Sequence, residues 1–288
     1  MKKFDNVWSY RFYVSAKFLE ALGVLMLLYE LVMLITPVAQ LVESHKTCCF
    51  FIIILFSLCY ALFRLVFPKK KITLEINKRT QLTIEKGDVM AADGARVIPV
   101  NEFFDTHLGD GIINVKSLHG QLLSLYQDRI PELRHKIDEQ LKGVDKLPSN
   151  RNRTMVDNLP QNRYPLGTCI RLNIDGQCYL LVATTRFNAN EHVEVSAEEY
   201  PEVIRKMFNG IEQFHDGNPV YIPLVGSGLA GYDMTNMQML NTMVQTANNT
   251  NRLSLSSGLY LYIYSDEQMK SINLNTIKYL FDRWITLK

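Results

Sequence analysis

Two apolar stretches stand almost back to back near the N-terminus, residues 21–39 and 48–67, with only the polar segment Gln40–Thr47 between them. Each is about 19–20 residues long, and at about 1.5 Å rise per residue such a helix spans roughly 28–30 Å, the thickness of a bilayer's hydrocarbon core. The pair predicts a transmembrane helical hairpin over residues 1–71, followed by one folded domain over 72–288. A cleavable leader fits poorly, because the first apolar run starts late and a second span follows at once. Lys2, Lys3, Arg11 and Lys17 precede the first stretch and Lys69, Lys70 and Lys71 follow the second, whereas the connection holds only Lys46 and Glu43. By the positive-inside rule both termini are cytoplasmic and the chain is multi-pass.

Whole-chain averages conceal this division. The net charge is +2 and 47% of residues are hydrophobic. So small a net charge excludes a dedicated nucleic-acid binder. The five cysteines (Cys48, Cys49, Cys59, Cys169 and Cys178) have no metal-ligand spacing and form no even-numbered framework, which suits reduced thiols in a reducing compartment. No metal site is expected.

Within the hairpin, three residues bear on membrane association. Glu30 falls near the centre of the first stretch, where a carboxylate costs roughly 2.5–3.5 kcal/mol on insertion scales. In an antiparallel hairpin its depth matches Ser57. Glu30 either makes an interhelical contact that drives self-association or lines a pore, or it is protonated and bonded to Ser57. Arg64, near the end of the second stretch, is placed to snorkel.

After Pro68 the periodicity changes. Ile72–Asn77 and Gln81–Lys86 alternate apolar and polar residues and read as a hairpin; Arg96–Asn101 reads as a short buried strand. Ser117–Leu141 is helical in pattern with Pro131 interrupting it, and Lys142–Pro165 reads as a long exposed loop. Strands are expected at Thr168–Asn173 and Cys178–Thr185 across an Asp175-Gly176 turn, at Val220–Leu224 and at Gly258–Tyr264. Helices are expected at Tyr200–Phe214, Asp233–Asn248 and Glu267–Leu287. Strands mixed with helices over this length predict a three-layer α/β/α domain with a mixed sheet.

The most informative local motif follows the strand at Val220: Gly226-Ser227-Gly228-Leu229-Ala230-Gly231. Glycines let the backbone approach a ligand and take φ > 0. Free N–H groups close to a helix N-terminus form an anion nest suited to a pyrophosphate. No Gly-Lys-Ser/Thr follows, so this is not a Walker loop, and the late position without a downstream ribose acid sets it apart from the dinucleotide fingerprint. Taken alone, the motif admits a phosphate loop or a tight structural turn.

The order of features resembles the macro domain. Lys86-Gly-Asp88 ends one strand, Val100-Asn101 ends another, a loop Gly109-Asp110-Gly111-Ile112-Ile113 follows, and GSGLAG comes late. The resemblance covers about Ile72–Leu287. It implies that Asp88 accepts from an adenine amino group, that Asn101 bonds ribose hydroxyls, and that Gly109–Ile113 and Gly226–Gly231 hold the diphosphate of an ADP-ribose derivative. His119 is added as a group that reaches a phosphate or the ligand's histidyl group. Each has a plainer reading: Asp88 as a turn residue, Asn101 as a cap, His119 as a structural histidine. The Asn-Ala-Ala-Asn run and triple glycine of the enzymatic members are absent, replaced in part by VNEFFDT, so no catalytic residue is assigned.

VNEFFDTHLGDGII and SLHGQLL are similar to macro-like domains that follow two transmembrane helices in antiphage defence, the membrane-anchored macro effectors of type II Thoeris systems. That resemblance implies a bacterial inner-membrane location and a histidine–ADP-ribose signal made by a TIR-domain partner. It also implies homo-oligomerisation through the membrane helices, with membrane injury and abortive infection as the outcome. No cofactor is implied. The alternative is a membrane-tethered ADP-ribosyl or ADP-ribose-phosphate hydrolase.

Overall fold

The computed structural model describes residues 10–35, 39, 42–109, 112–148, 159–188, 193–228, 231–250 and 253–286. In chain order the helices and strands are α1 (Arg11–Met33), α2 (Lys46–Val66), β1 (Lys71–Asn77), β2 (Thr80–Lys86), β3 (Ala95–Asn101), α3 (Leu118–Leu125), α4 (Ile130–Gln140), β4 (Cys169–Ile174), β5 (Gln177–Phe187), β6 (Val193–Glu194), α5 (Tyr200–Phe214), β7 (Val220–Pro223), α6 (Asn236–Asn249), β8 (Leu259–Ile263), α7 (Asp266–Lys270) and α8 (Leu274–Thr286). They form two compact units, Met1–Lys69 with Asn273–Lys288, and Lys70–Ile272.

In the first unit α1 packs along α2. Among the described residues α2 is the one helix long and apolar enough to cross a membrane. Ser57, Ala61 and Leu65 are its buried positions, while Phe51, Phe56, Phe63 and Phe67 remain exposed. An apolar surface of that kind belongs against lipid or a partner. The first expected span is not met as drawn. Its helix lies earlier, at Arg11–Met33, and takes in Arg11, Lys17, Glu20 and Glu30. Lys17, Glu20 and Glu30 interrupt its apolar pattern, and within the described residues it is not matched as a span. Pro37 and Gln40 lie outside the described residues.

Ser57 is fully buried, and its Oγ donates to the Ile53 carbonyl at 2.8 Å, not to Glu30. Glu30 is exposed on α1 and has no hydrogen-bond or ion-pair partner among the described residues. Arg64, expected to reach outward, is half-buried beside Tyr13.

A simple cut at residue 72 would leave the last helix with the folded domain, but Asn273–Lys288 groups with the N-terminal helices. The expected continuous helix Glu267–Leu287 is also broken into α7 and α8. Asn273 is the reason: its Oδ1 accepts from Thr276 N–H at 3.2 Å and starts α8 as an N-cap.

The second unit is built on a mixed sheet of order β1-β2-β8-β7-β3-β5-β4, with β6 added to the end of β5. The five strands β2, β8, β7, β3 and β5 run parallel, and β1 and β4 pair antiparallel at the two edges. Asp175 and Gly176, both at positive φ, form the β4–β5 turn, as the Asp-Gly dipeptide predicts. Helices α3 and α4 cover one side of β3, β5 and β4 through Leu122, Leu123, Leu133 and Ile137. Pro131 occupies the first turn of α4, where its missing N–H costs nothing, so it starts a helix and does not break one. α5 packs on β4 and β5, and α6 on β1. The expected exposed loop Lys142–Pro165 is only partly so: Leu159 and Tyr164 are buried, and Leu147 bridges Arg163.

Candidate functional site

All five parallel strands deliver their C-terminal ends to one edge of the sheet. From β3 the chain leaves toward β5, and from β7 it leaves toward β8, so connections diverge between these neighbouring strands. In open α/β sheets the ligand crevice lies outside the carboxyl ends at such a switch point. The chain after β7 runs from Leu224 through Gly228 in the described residues, and β3 ends at Asn101, so two of the expected ligand segments stand at this edge.

The glycine loop is held from below. Tyr200 on α5 donates its hydroxyl to the Val225 carbonyl at 2.8 Å, and Tyr232 donates to the Thr184 carbonyl at 2.6 Å. The two rings meet edge to face at 4.9 Å between centroids. Burial raises both phenols well above their ordinary range, so they remain neutral donors. Gly226 has φ +86°, and a Cβ there would lie 2.9 Å from the Tyr232 ring and 3.3 Å from that of Tyr200. Only glycine fits. A Cβ on Gly228 would meet nothing within 4 Å, so this position faces open space. Among the described residues the N–H groups of Gly226 and Gly228 have no carbonyl partner. The Ser227 hydroxyl donates to the Leu224 carbonyl at 2.6 Å and accepts from Gln268 Nε2 at 2.9 Å. Gly231 also takes positive φ, at +71°. Leu229 and Ala230 lie outside the described residues.

At the end of β2, Gly87 packs against the Tyr262 ring so closely that a Cβ would lie 2.6 Å from it. Asp88 caps a 3-10 turn, Val89–Ala91, by accepting from Met90 N–H at 2.9 Å through Oδ1. Its Oδ2 has no partner among the described residues, so the turn role leaves that oxygen unengaged. The register Lys86↔Ile263 sets Tyr264 beside Gly87, and Tyr264 is 62% exposed. This exposed ring at the strand-end edge was missed from sequence. Its signal was present: an aromatic residue just past a buried strand whose neighbour ends in Gly-Asp.

The residues after β3 are less open than expected. Asn101 is buried, its Nδ2 donates to Asp105 Oδ2 at 2.9 Å, and its Oδ1 accepts from Phe103 N–H at 3.1 Å and Asp105 N–H at 3.3 Å. It shapes its own loop, as the capping reading anticipates. His119 is buried with a hydrogen bond to the Asp105 backbone, and desolvation lowers its pKa to about 4, so it is a neutral structural ring. Gly109 takes φ +89°, Gly109 N–H donates to the Ile113 carbonyl at 3.0 Å, and Ile112 N–H donates back to Gly109 at 2.9 Å. Ile112 and Ile113 are buried in the core and anchor this turn. Asp110 and Gly111 lie outside the described residues.

Sequence reasoning also missed Glu102. It is 0% exposed, yet accepts from Arg163 Nε at 3.0 Å and Nη2 at 2.9 Å, and from Phe187 N–H at 3.1 Å. Arg134 adds a bond from Nη1 to the Phe104 carbonyl at 2.9 Å. Phe104 sits at φ +52°, a costly conformation for a non-glycine residue that these bonds hold in place. These bonds tie the loop after β3 to α4, to Arg163 and to the end of β5. Burial pushes the Cys169 thiol up to about 12 and raises that of Cys178, so neither is a ready nucleophile. No group of His, Cys, Asp or Glu able to hold a metal occurs among the described residues.

A mixed sheet between helical layers, with a glycine loop at its switch point, defines a macro-type α/β/α domain. The fold matches the Oceanobacillus iheyensis macrodomain solved with MES bound, at 12% identity over 74% of this chain and 98% of that one, with a TM-score of 0.52. A mutant of the same macrodomain matches at 11% identity over 74% and 94% of the two chains, with a TM-score of 0.50. Residues 82–264 match the family described as "Thoeris protein ThsA, Macro domain", and the chain belongs to that family. The Thoeris protein ThsA of Bacillus amyloliquefaciens (strain Y2) is 30% identical over 191 residues, 64% of this chain. The chain spans 61% of the length of that curated relative.

Proposed function

We propose that this chain is a ligand-gated membrane effector of antiphage defence. In this reading the second unit binds an ADP-ribose-type signal, histidine–ADP-ribose being the favoured form, made by a TIR-domain partner. Binding leads the N-terminal helices to self-associate in the bacterial inner membrane and disrupt it. The observation that carries the reading is the pair of N–H groups at Gly226 and Gly228 that have no carbonyl partner among the described residues, on a loop pinned by Tyr200 and Tyr232 at the switch point. Such a nest favours a diphosphate. Asp88 Oδ2 and the exposed Tyr264 ring, one strand-end away, suit a purine's amino group and face. Family membership supports a Thoeris-type role, and the exposed apolar flank of α2 supports membrane insertion. With α1 beside it the hairpin is two-pass, with both termini cytoplasmic and an oligomer formed on activation.

The same reading treats the domain as a binder and not a hydrolase. Asn101 is engaged within its own loop and His119 is buried and neutral. Neither is available as the acid or base that glycosidic hydrolysis needs. Calorimetry of the detergent-solubilised full chain with ADP-ribose and with its histidine conjugate tests the binding. Micromolar or tighter affinity, about 8 kcal/mol or more, is expected, and Gly228→Asp should abolish it. Consumption of either compound would establish the hydrolase instead.

A further inference from the structure

A second tie reaches the glycine loop, from α7. Gln268 donates from Nε2 to Ser227 Oγ at 2.9 Å. The other end of the Gln268 amide settles which way it points. Its Oε1 accepts from Ser265 N–H at 3.3 Å, while the Gln268 N–H donates to Ser265 Oγ at 3.1 Å, a reciprocal capping box. With that oxygen engaged, the NH2 group is the end left for Ser227.

This fixes what Ser227 can do. A hydroxyl carries one proton, and Ser227 commits it to the Leu224 carbonyl at 2.6 Å. The Ser227 N–H reaches the same carbonyl at 3.3 Å. Backbone and side chain therefore both fold Ser227 back onto its own turn, and Gln268 fills the acceptor side of its oxygen. In this arrangement the hydroxyl has no proton to offer a ligand. The donors that the turn leaves open are the N–H groups of Gly226 and Gly228, which have no carbonyl partner among the described residues.

α7 is itself fixed by neighbours in the same unit. It follows β8 directly, with Ser265 as its cap two residues past Ile263. Asn236, the first residue of α6, donates from Nδ2 to Ser271 Oγ at 2.9 Å, and Ser271 N–H bonds back to the Glu267 and Gln268 carbonyls. Lys86 at the end of β2 pairs with Asp266 at 2.7 Å, an exposed contact that adds little. The capping box and the short link to β8 carry the placement of Gln268.

We infer that Gln268 is a positioning residue of the crevice: by holding Ser227 against Leu224 it keeps the amides of Gly226 and Gly228 presented to a diphosphate, without touching the ligand. The inference rests on the reading that this loop receives an anion. A loop already held in its binding shape has less freedom to lose when the ligand arrives, so the tie raises affinity through preorganisation. Ser227 then serves the site through its backbone fold and not as a side-chain contact.

A double-mutant cycle on the full chain in detergent tests this, with ADP-ribose as the probe and calorimetry as the readout. Gln268→Leu should weaken binding by about threefold or more. In a Ser227→Ala background the same change should add no further loss, because the contact through which Gln268 acts is already gone. An equal loss in both backgrounds would assign the effect to the α7 cap and overturn the inference, as would the absence of a loss in the first. Hydrogen exchange without ligand is the second arm. The Ser227 amide should exchange about threefold or more faster in Gln268→Leu, while amides of β3 stay unchanged. An unchanged Ser227 amide overturns the tie, and a rise of the same size in β3 would place Gln268 in the fold as a whole and overturn it too. If the unaltered protein binds no ADP-ribose, the ligand reading fails instead, and the exchange arm alone decides whether Gln268 holds the loop.

Discussion

Glu102 is a carboxylate with no exposure, made tolerable by Arg163 and the Phe187 N–H. Removing one partner of a buried pair leaves an uncompensated charge, at roughly 3–5 kcal/mol. Arg163→Ala should therefore lower stability by about 3 kcal/mol, and Glu102→Gln in the same chain should recover part of it, as read by denaturant unfolding of single and double variants. His119 sets a pH dependence. Its pKa is lowered to about 4 in the folded state from an ordinary 6.5. Above 6.5 the folded and unfolded states hold the same number of protons at this ring. Between 6.5 and about 4 the unfolded state binds the extra proton, so stability falls as pH falls across that window and levels off below it. His119→Gln should flatten the slope between those limits in unfolding curves taken at stepped pH.

At the scale of the element, the glycine loop is pinned at Val225 by Tyr200, and in the effector reading its amides receive the ligand. Gly226→Ala must hold a side chain at φ +86° and displace the Tyr232 ring. The left-handed strain alone is about 1–2 kcal/mol, and calorimetry should show ADP-ribose affinity falling by about tenfold or more, equivalent to about 1.4 kcal/mol. Regular elements were legible in the sequence: the strand expected at Arg96–Asn101 is β3 with one residue added, and Tyr200–Phe214 is α5 as read. Alternation and amphipathic spacing carry that information locally. What stayed hidden depends on distant partners. Asn101 reads equally as a ligand contact or a loop staple until Asp105 is placed in space. Leu159 and Tyr164 join the apolar core beside the Arg163–Glu102 pair, a long-range contact that no local pattern records. The break at Asn273 shows only as a polar residue within an amphipathic run, and its second task, toward Leu65, lies 208 positions away.

For the whole molecule, α2 presents phenylalanines outward while α1 mixes apolar residues with Lys17, Glu20 and Glu30. Length and apolarity fix α2 as the membrane candidate; the standing of α1 depends on what Glu30 meets. In the effector reading an unpartnered carboxylate at that depth is relieved by a second copy. Glu30→Leu should leave ADP-ribose binding intact and abolish dye release from vesicles containing the protein. Release that persists in the variant would remove Glu30 from the assembly.

The chain order of the two units carries a biosynthetic consequence. Lys70–Ile272 is inserted between the parts of the other unit, so residues 273–286 leave the ribosome only after every strand of the sheet has done so. At about 5–20 residues per second, the nascent apolar pair waits tens of seconds for the asparagines that close it. A chain halted before that moment has its sheet complete and the last carbonyls of α2 still without Asn273 and Asn275.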